Sequence, residues 1–261
     1  MKIIGFTQLR NELSRGNLQN WFRCMEVCDQ IYIYDQASDD GSQEYYKKIS
    51  NVVLMQSETN DFKREILCKA KMLERIRKDH PEPHWIYWLD GDLIMDGRML
   101  KNKGEKIREM IDVVDKKGHD CILFGHYNLW RSDVWYRTDQ GYHGHHGRWF
   151  TFWKDMPYMW YPLREGLHHG QAPDGIRNPV QVDASVIHRG FSSDENIVKK
   201  YLSYKSMGQT GWDLDRLIDE ETLAVEKIPE KIIPEWYNTS DNQDPRTKKK
   251  LIELYKDKLC V

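Results

Sequence analysis

Short apolar runs and helical stripes alternate over the first hundred residues. Ile3–Phe6, Ile31–Tyr34 and Val52–Met55 are strand-length runs, and Leu18, Trp21, Phe22 and Met25 recur on one helical face. QEYYKKIS reads as a further helix, preceded by the turn-rich QASDDGS. Over Asp61–Lys78 the residues Phe62, Ile66, Ala70, Leu73 and Ile76 make one apolar stripe, with Lys63, Arg64, Lys69 and Lys71 on other faces. A fourth strand opens WIYWLDGDLIMD, Trp85–Asp96, and runs into two aspartates separated by one glycine. Strands alternating with helices of this length predict an α/β fold, with a mainly parallel central sheet flanked by helices.

Beyond about residue 100 the pattern loosens. Lys101–Lys116 reads as an amphipathic helix, Cys121–Gly125 and Val182–His188 as strands. Tyr127 to Pro179, rich in Trp, Tyr, His, Gly and Pro, predicts long loops and short strands around a ligand. Ser192 with Glu195 fits a capping box for a helix running to Gly208. Pro229, Pro234 and Pro245 and a final basic helix, Arg246–Lys258, predict a C-terminal helical tail wrapped over the core, its lysines a solvated face. No linker or repeat interrupts 1–261, so one domain is expected, with halves at 1–100 and 101–210 and an extension at 211–261.

The chain has 261 residues, 39% hydrophobic, enough for one sizeable core. Its 39 basic against 41 acidic residues leave a net charge of -2, so no global field draws it to nucleic acid. MKIIGFTQLRNE is neither a signal peptide nor a span, which predicts a cytoplasmic protein with no transmembrane segment and leaves peripheral membrane contact open. Five scattered cysteines argue against a disulfide framework, and Cys24 and Cys28 lack the second pair of a zinc site.

The chemistry gathers at strand ends. In a parallel sheet Arg10–Glu12, Asp35–Ser42 and Asp90–Asp92 all finish at one edge, where open α/β sheets bind ligands. Paired carboxylates there suit a divalent metal carrying phosphates. No Gly-rich phosphate fingerprint occurs, so phosphate charge must be met by metal and side chains. Candidate bases are Asp133, Asp139, Asp155 and Asp174. His143, His145 and His146, with His168 and His169, offer an acceptor or phosphate contact more readily than a second metal site. Trp130, Trp135, Trp149, Trp153 and Trp160 read as packing, with one or two stacking on a sugar.

Four pieces in order, RNE after the first strand, IYIYDQASDDGS, WIYWLDGD and IHRGFSSDENIVKKYLSYKSMGQ, resemble the family 2-like glycosyltransferases with the GT-A fold, over about residues 3 to 210. The resemblance implies a Rossmann-like sheet of GT-A type, a nucleotide-sugar donor (UDP foremost) bound across 1–100, and a glycan or lipid-linked acceptor in the aromatic-rich part. It implies nucleotide contacts from Arg10, Glu12, Asp35, Asp61, Lys69 and Asp90. Asp92, with Asp90 and His188, would hold Mn²⁺ or Mg²⁺ at the diphosphate. YRTD resembles a stretch in some relatives, which favours Asp139 as base of an inverting reaction, then Asp155, with Trp130, Trp135 and Arg137 near the sugar or acceptor. The chain departs from the pattern at Leu93, where many relatives carry an acid. A nucleotidyltransferase and a non-catalytic nucleotide- or sugar-binding protein are the alternatives.

Overall fold

The computed structural model describes residues 1–60, 64–139, 149–163 and 172–259. Asp61 and the histidines at 143, 145, 146, 168 and 169 lie outside them. In chain order the elements are β1 (Lys2–Leu9), α1 (Leu18–Met25), β2 (Gln30–Gln36), α2 (Ser42–Tyr46), β3 (Val52–Ser57), α3 (Glu65–Asp79), β4 (His84–Trp88), β5 (Leu93–Met95), α4 (Gly97–Lys116) and β6 (Cys121–Asn128). There follow β7 (Trp135–Arg137), β8 (Trp149–Lys154), β9 (Pro179–His188), α5 (Asp194–Ser206), α6 (Trp212–Asp215), β10 (Val225–Lys227), α7 (Leu251–Leu254) and α8 (Lys256–Leu259). The chain folds as two interleaved compact units, one of Met1–Ile94, Arg98–Phe124 and Arg148–Ala184, the other of Met95–Gly97, Gly125–Gly147 and Ser185–Val261.

One mixed sheet has the strand order β3-β2-β1-β4-β8-β6-β9-β5, and the first unit holds β1 to β4 and β8 entire. Its first four strands are parallel. Leu9 lies beside Asp35, Gln36 beside Ser57 and Phe6 beside Trp88, so β1 to β4 all finish at one edge. β8 runs antiparallel to both β4 and β6. All five residues of β4 are buried, as expected of a strand covered on both faces. Side chains alternate across β1. At Gly5 an added Cβ would stand 2.5 Å from Met25 Cε of α1, whereas Ile4 and Phe6 join the cluster of Ile66, Met72, Leu73 and Ile76 on α3. Phe6 meets Trp88 edge-on at 4.8 Å. On α3 the predicted stripe is present, but Lys69 turns inward with it and is buried.

The helix expected over Lys101–Lys116 begins earlier, at Gly97, and is broken by non-helical backbone at Lys101–Gly104. Gly104 there has φ +78°, and a Cβ would meet Val27 Cβ at 2.7 Å, so neither the backbone nor the space admits a side chain.

In the second unit β7 pairs antiparallel with β10, and Trp130, Phe191, Ile197, Tyr201, Leu217, Leu251 and Leu259 share one core cluster. The cap of α5 is Ser193, not Ser192, because Ser193 Oγ accepts from Asn196 N at 3.2 Å. The single basic helix expected over Arg246–Lys258 is instead a 3₁₀ turn, Pro245–Thr247, followed by the two short helices α7 and α8, parted at Tyr255. Arg131 is buried in this unit. Its guanidinium donates to both oxygens of Asp194 (2.6 and 3.0 Å), to Glu220 (2.6 Å) and to the Lys249 carbonyl (2.7 Å). No helix among the described residues is long and apolar enough to cross a membrane.

Candidate functional site

The two aspartates sit on a tight turn directly after β4. Leu93 N donates to the Asp90 carbonyl at 3.0 Å, closing Asp90–Leu93. The residue before it is clamped from two sides: the Leu89 carbonyl accepts from Thr7 Oγ1 (2.8 Å) and from Trp21 Nε1 (2.9 Å). Trp88 Nε1 donates to Asp90 Oδ1 at 2.9 Å. Gly91 is needed for space. A Cβ there would stand 2.7 Å from Glu12 Cδ and 2.9 Å from Leu9 Cδ2, because the Glu12 side chain packs directly over the turn. Glu12 is held by Arg15 Nη1 and Asn17 Nδ2, both at 2.8 Å.

Three carboxylates thus crowd one edge of the sheet, and the field shows it. Burial pushes the Asp90 carboxyl up to about 7, with the charge of Asp92 adding to the rise and Lys69 opposing it. Burial likewise raises Glu12; Arg15 and Asn17 pull it down while Asp92 adds to it. Lys69 is 1% exposed, ion-paired with Glu65 and 4.8 Å from the Trp88 ring centroid. Lys69, for which the resemblance implies a nucleotide contact, is therefore buried against Trp88. Burial of that ammonium is offset by Glu65, by the ring face and by the field of Asp90. Among the described residues no three His, Cys, Asp or Glu side chains converge on a point that would hold a metal ion. Oxygen donors in this number fit a cation that takes one or two carboxylates and completes its shell with phosphate and water oxygens, the habit of Mg²⁺.

The neighbouring loops are fastened to each other. Asp35 is fully buried, and its carboxylate accepts from Ser38 N (2.8 Å), Ser38 Oγ (2.6 Å) and Gln43 Nε2 (2.7 Å). It thus shapes the loop after β2 from within instead of presenting its carboxylate at the surface. Asn11 and Asp39 bond reciprocally, Asn11 Nδ2 to Asp39 Oδ1 at 2.8 Å and Asp39 N to Asn11 Oδ1 at 3.0 Å. Ser14 N donates to Asp40 at 2.7 Å and Leu13 N to Ser42 Oγ at 3.1 Å. Burial raises the Asp40 carboxyl, but the Ser42 and Ser14 donors outweigh it and hold it below the usual range. Arg10, at the same rim, keeps a buried Nε without a hydrogen-bond partner among the described residues.

The remaining predicted residues are placed as follows. Asp155 is at the other edge of the sheet: its N–H donates to the carbonyl of His84, the first residue of β4, a strand length of roughly 15 Å from Asp90. Its carboxylate is gripped by Arg77 at 2.8 and 2.7 Å, and it is its place at that far edge that sets it apart from the aspartate turn. In the second unit Asp139 accepts from Arg137 Nε (2.5 Å) and Ala224 N (3.0 Å), and Asp133 from Asp241 N (3.0 Å). Asp174 is exposed, and its backbone bridges to Trp160. Trp130 and Arg137 are both buried, with the guanidinium 4.4 Å from the ring centroid, so neither offers a face to a sugar. Trp135 is half-buried, with Lys227 and Arg246 over its ring.

His188, also in the second unit, has Nδ1 2.7 Å from Asn128 Oδ1, and Asn128 Nδ2 is 2.9 Å from His126 Nε2. The Asn128 side-chain amide thus bridges the imidazoles of His126 and His188. Asn128 carried no sequence signal. Nor did the packing of Glu12 on Gly91, although a glycine between two acids is where such an approach would be sought.

No family model and no curated protein matches the chain. Among solved structures, HddC from Yersinia pseudotuberculosis is similar at 11% identity over 76% of this chain and 97% of its own, with a TM-score of 0.39, a likeness too slight to inform function.

Proposed function

We propose that this chain is a metal-dependent glycosyltransferase of GT-A type that moves a sugar from a nucleoside-diphosphate donor, UDP-linked by the sequence resemblance, to a glycan or lipid-linked acceptor. One observation carries the reading: the Asp90–Gly91–Asp92 turn, crowded by Glu12, at the edge where parallel strands end. Asp92 with Asp90 is the seat for Mn²⁺ or Mg²⁺, and a cation bound there supplies Lewis-acid stabilisation of the departing diphosphate. Lys69 and Trp88 fix Asp90 from below. Arg10, whose buried Nε has no hydrogen-bond partner among the described residues, suits a phosphate oxygen. The fastened loops 10–14 and 38–42 form the nucleoside side. His188, bonded to Asn128, enters as the imidazole that the resemblance assigns to the cation. With Asp155 at the opposite edge, Asp139 is the remaining favoured base for an inverting transfer.

The test is donor hydrolysis and transfer across a panel of nucleotide sugars, with and without Mn²⁺, in the wild type and Asp92→Asn. Cation-dependent UDP release that Asp92→Asn abolishes supports the reading. Full turnover in Asp92→Asn overturns it, and pyrophosphate release from nucleoside triphosphates would replace it with nucleotidyl transfer.

A further inference from the structure

Where β1, β2 and β4 begin, at the edge of the sheet opposite the aspartate turn, one histidine joins all three strands to α3. His80 follows the last turn of α3, its N–H donating to the Ile76 carbonyl at 2.8 Å, and it is 7% exposed. Its Nδ1 lies 2.8 Å from Lys2 Nζ on β1. Its Nε2 lies 2.9 Å from Gln30 Oε1 and 3.2 Å from the Tyr32 hydroxyl, both on β2. The ring of His84, the first residue of β4, is 6.1 Å away, centroid to centroid.

An ammonium has only protons to offer, so His80 Nδ1 carries a lone pair and the proton of the neutral ring sits on Nε2, aimed at Gln30. The Tyr32 hydroxyl donates to Asp79 Oδ2 (2.8 Å), which Arg75 Nε also holds (2.7 Å), and this leaves the Tyr32 oxygen as a second acceptor for Nε2. The charges around the ring are divided. Lys2 and His84 oppose a positive charge on it, whereas Asp79 on α3 and Glu82, in the connection before β4, favour one. His84 donates from Nδ1 to the Glu82 carbonyl (2.8 Å) and sets Nε2 3.7 Å from Asp155, the partner of Arg77. Burial first, and then Lys2, holds the His80 imidazole below the ordinary histidine range.

A proton on Nδ1 would set two cations 2.8 Å apart. Lys2 can leave, because its side chain is 35% exposed. Glu82 Oε1, which accepts from the same ammonium at 2.8 Å, is already 3.6 Å from His80 Nδ1 and can take the new N–H after a small side-chain shift. The two arrangements use the same three side chains and differ by one proton, which is what a switch needs.

We propose that His80 is a proton-operated latch at the start of β1: the neutral ring accepts from Lys2, and the protonated ring gives up Lys2 and donates to Glu82. The latch involves neither nucleotide nor divalent cation, so it stands apart from the glycosyltransferase reading. Its contribution to stability is complete above about pH 6.5, where folded and unfolded chains both hold the ring neutral, and is lost as the pH falls through the lowered folded value.

The experiment is an NMR titration of the histidine ring signals of the full chain between pH 7.5 and 4, in EDTA and without nucleotide. The His80 signal is identified by its loss in His80→Gln. Wild-type His80 is expected to titrate below about 6.5. Lys2→Met should move its midpoint up, Lys2→Arg should leave it low, and Glu82→Gln should move it further down. A histidine that is merely buried would show no such opposed response to two partly exposed neighbours. In urea the wild type should exceed Lys2→Met at pH 7.5, by a margin that shrinks toward pH 5. Thermal melts verify that each variant is folded. A wild-type midpoint at or above about 6.5, no rise in Lys2→Met, no fall in Glu82→Gln, or a urea margin independent of pH overturns the latch.

Discussion

Replacing Asp90 by asparagine removes one charge from the crowded turn and almost nothing else, because the amide oxygen still accepts from Trp88 Nε1. The carboxyl is displaced from 3.8 to about 7, first by burial and then by Asp92. At about 1.36 kcal/mol per unit, ionising it in the folded protein costs about 4 kcal/mol at most. Below pH 4 the proton is bound in folded and unfolded states alike. Between pH 4 and 7 the unfolded chain releases it first, so wild-type stability falls with rising pH; above 7 the loss is complete and constant. Asp90→Asn should therefore match the wild type near pH 4 and exceed it by up to about 4 kcal/mol at pH 8, a net figure in which the attraction to Lys69 is already counted. Urea unfolding in EDTA at pH 4, 6 and 8 reads this directly, as a midpoint shift of about 1 M or more at pH 8 for a typical slope. Adding Mn²⁺ should narrow the gap by stabilising the wild type, by about 2.7 kcal/mol at a hundred times the dissociation constant. Parallel stability curves for the two proteins, offset equally at every pH, would refute the argument that burial and Asp92 strain this carboxylate.

Gly91→Ala forces a methyl group into Glu12 and Leu9 and should cost about 1–3 kcal/mol in urea unfolding while weakening Mn²⁺-dependent UDP binding by calorimetry. Arg77→Ala strands the Asp155 carboxylate and the carbonyls of Met156 and Met159, with an expected loss of about 3–5 kcal/mol, yet turnover per folded molecule should stay unchanged because this pair lies at the opposite edge. Asp139→Asn should lower kcat by about 10²–10⁴ with little change in donor KM if Asp139 is the base; an unchanged kcat removes that role.

Where periodicity and chain direction decide the structure, the sequence was readable. The strands ending near Leu9, Gln36 and Trp88 and the helix faces of α1 and α3 follow from apolar spacing, and parallel order then brings their ends together. What spacing cannot supply is which way a chain runs once the alternation stops. Asp155 looked like a crevice residue, but β8 is antiparallel to β4 and delivers it to the opposite edge. Lys69 looked like a surface lysine because hydropathy ignores partners, and Glu65, Trp88 and Asp90 together make its burial tolerable. Trp130 and Arg137 fall in an aromatic, polar stretch that suggests ligand contact. Their mutual stacking and the carbonyls of Arg216 and Asp219 account for them as core instead. The interleaving of the two units leaves no mark in composition at all, since it depends on where strands reverse.

The bonds between Asn11 and Asp39, and from the backbone of Leu13 and Ser14 to Ser42 and Asp40, tie two loops distant in sequence into a single rim. Their conformational freedom is surrendered when the protein folds, not when a ligand arrives. Any ligand that approaches that rim would meet a shape already set, at a small entropic penalty and with little rearrangement of the backbone.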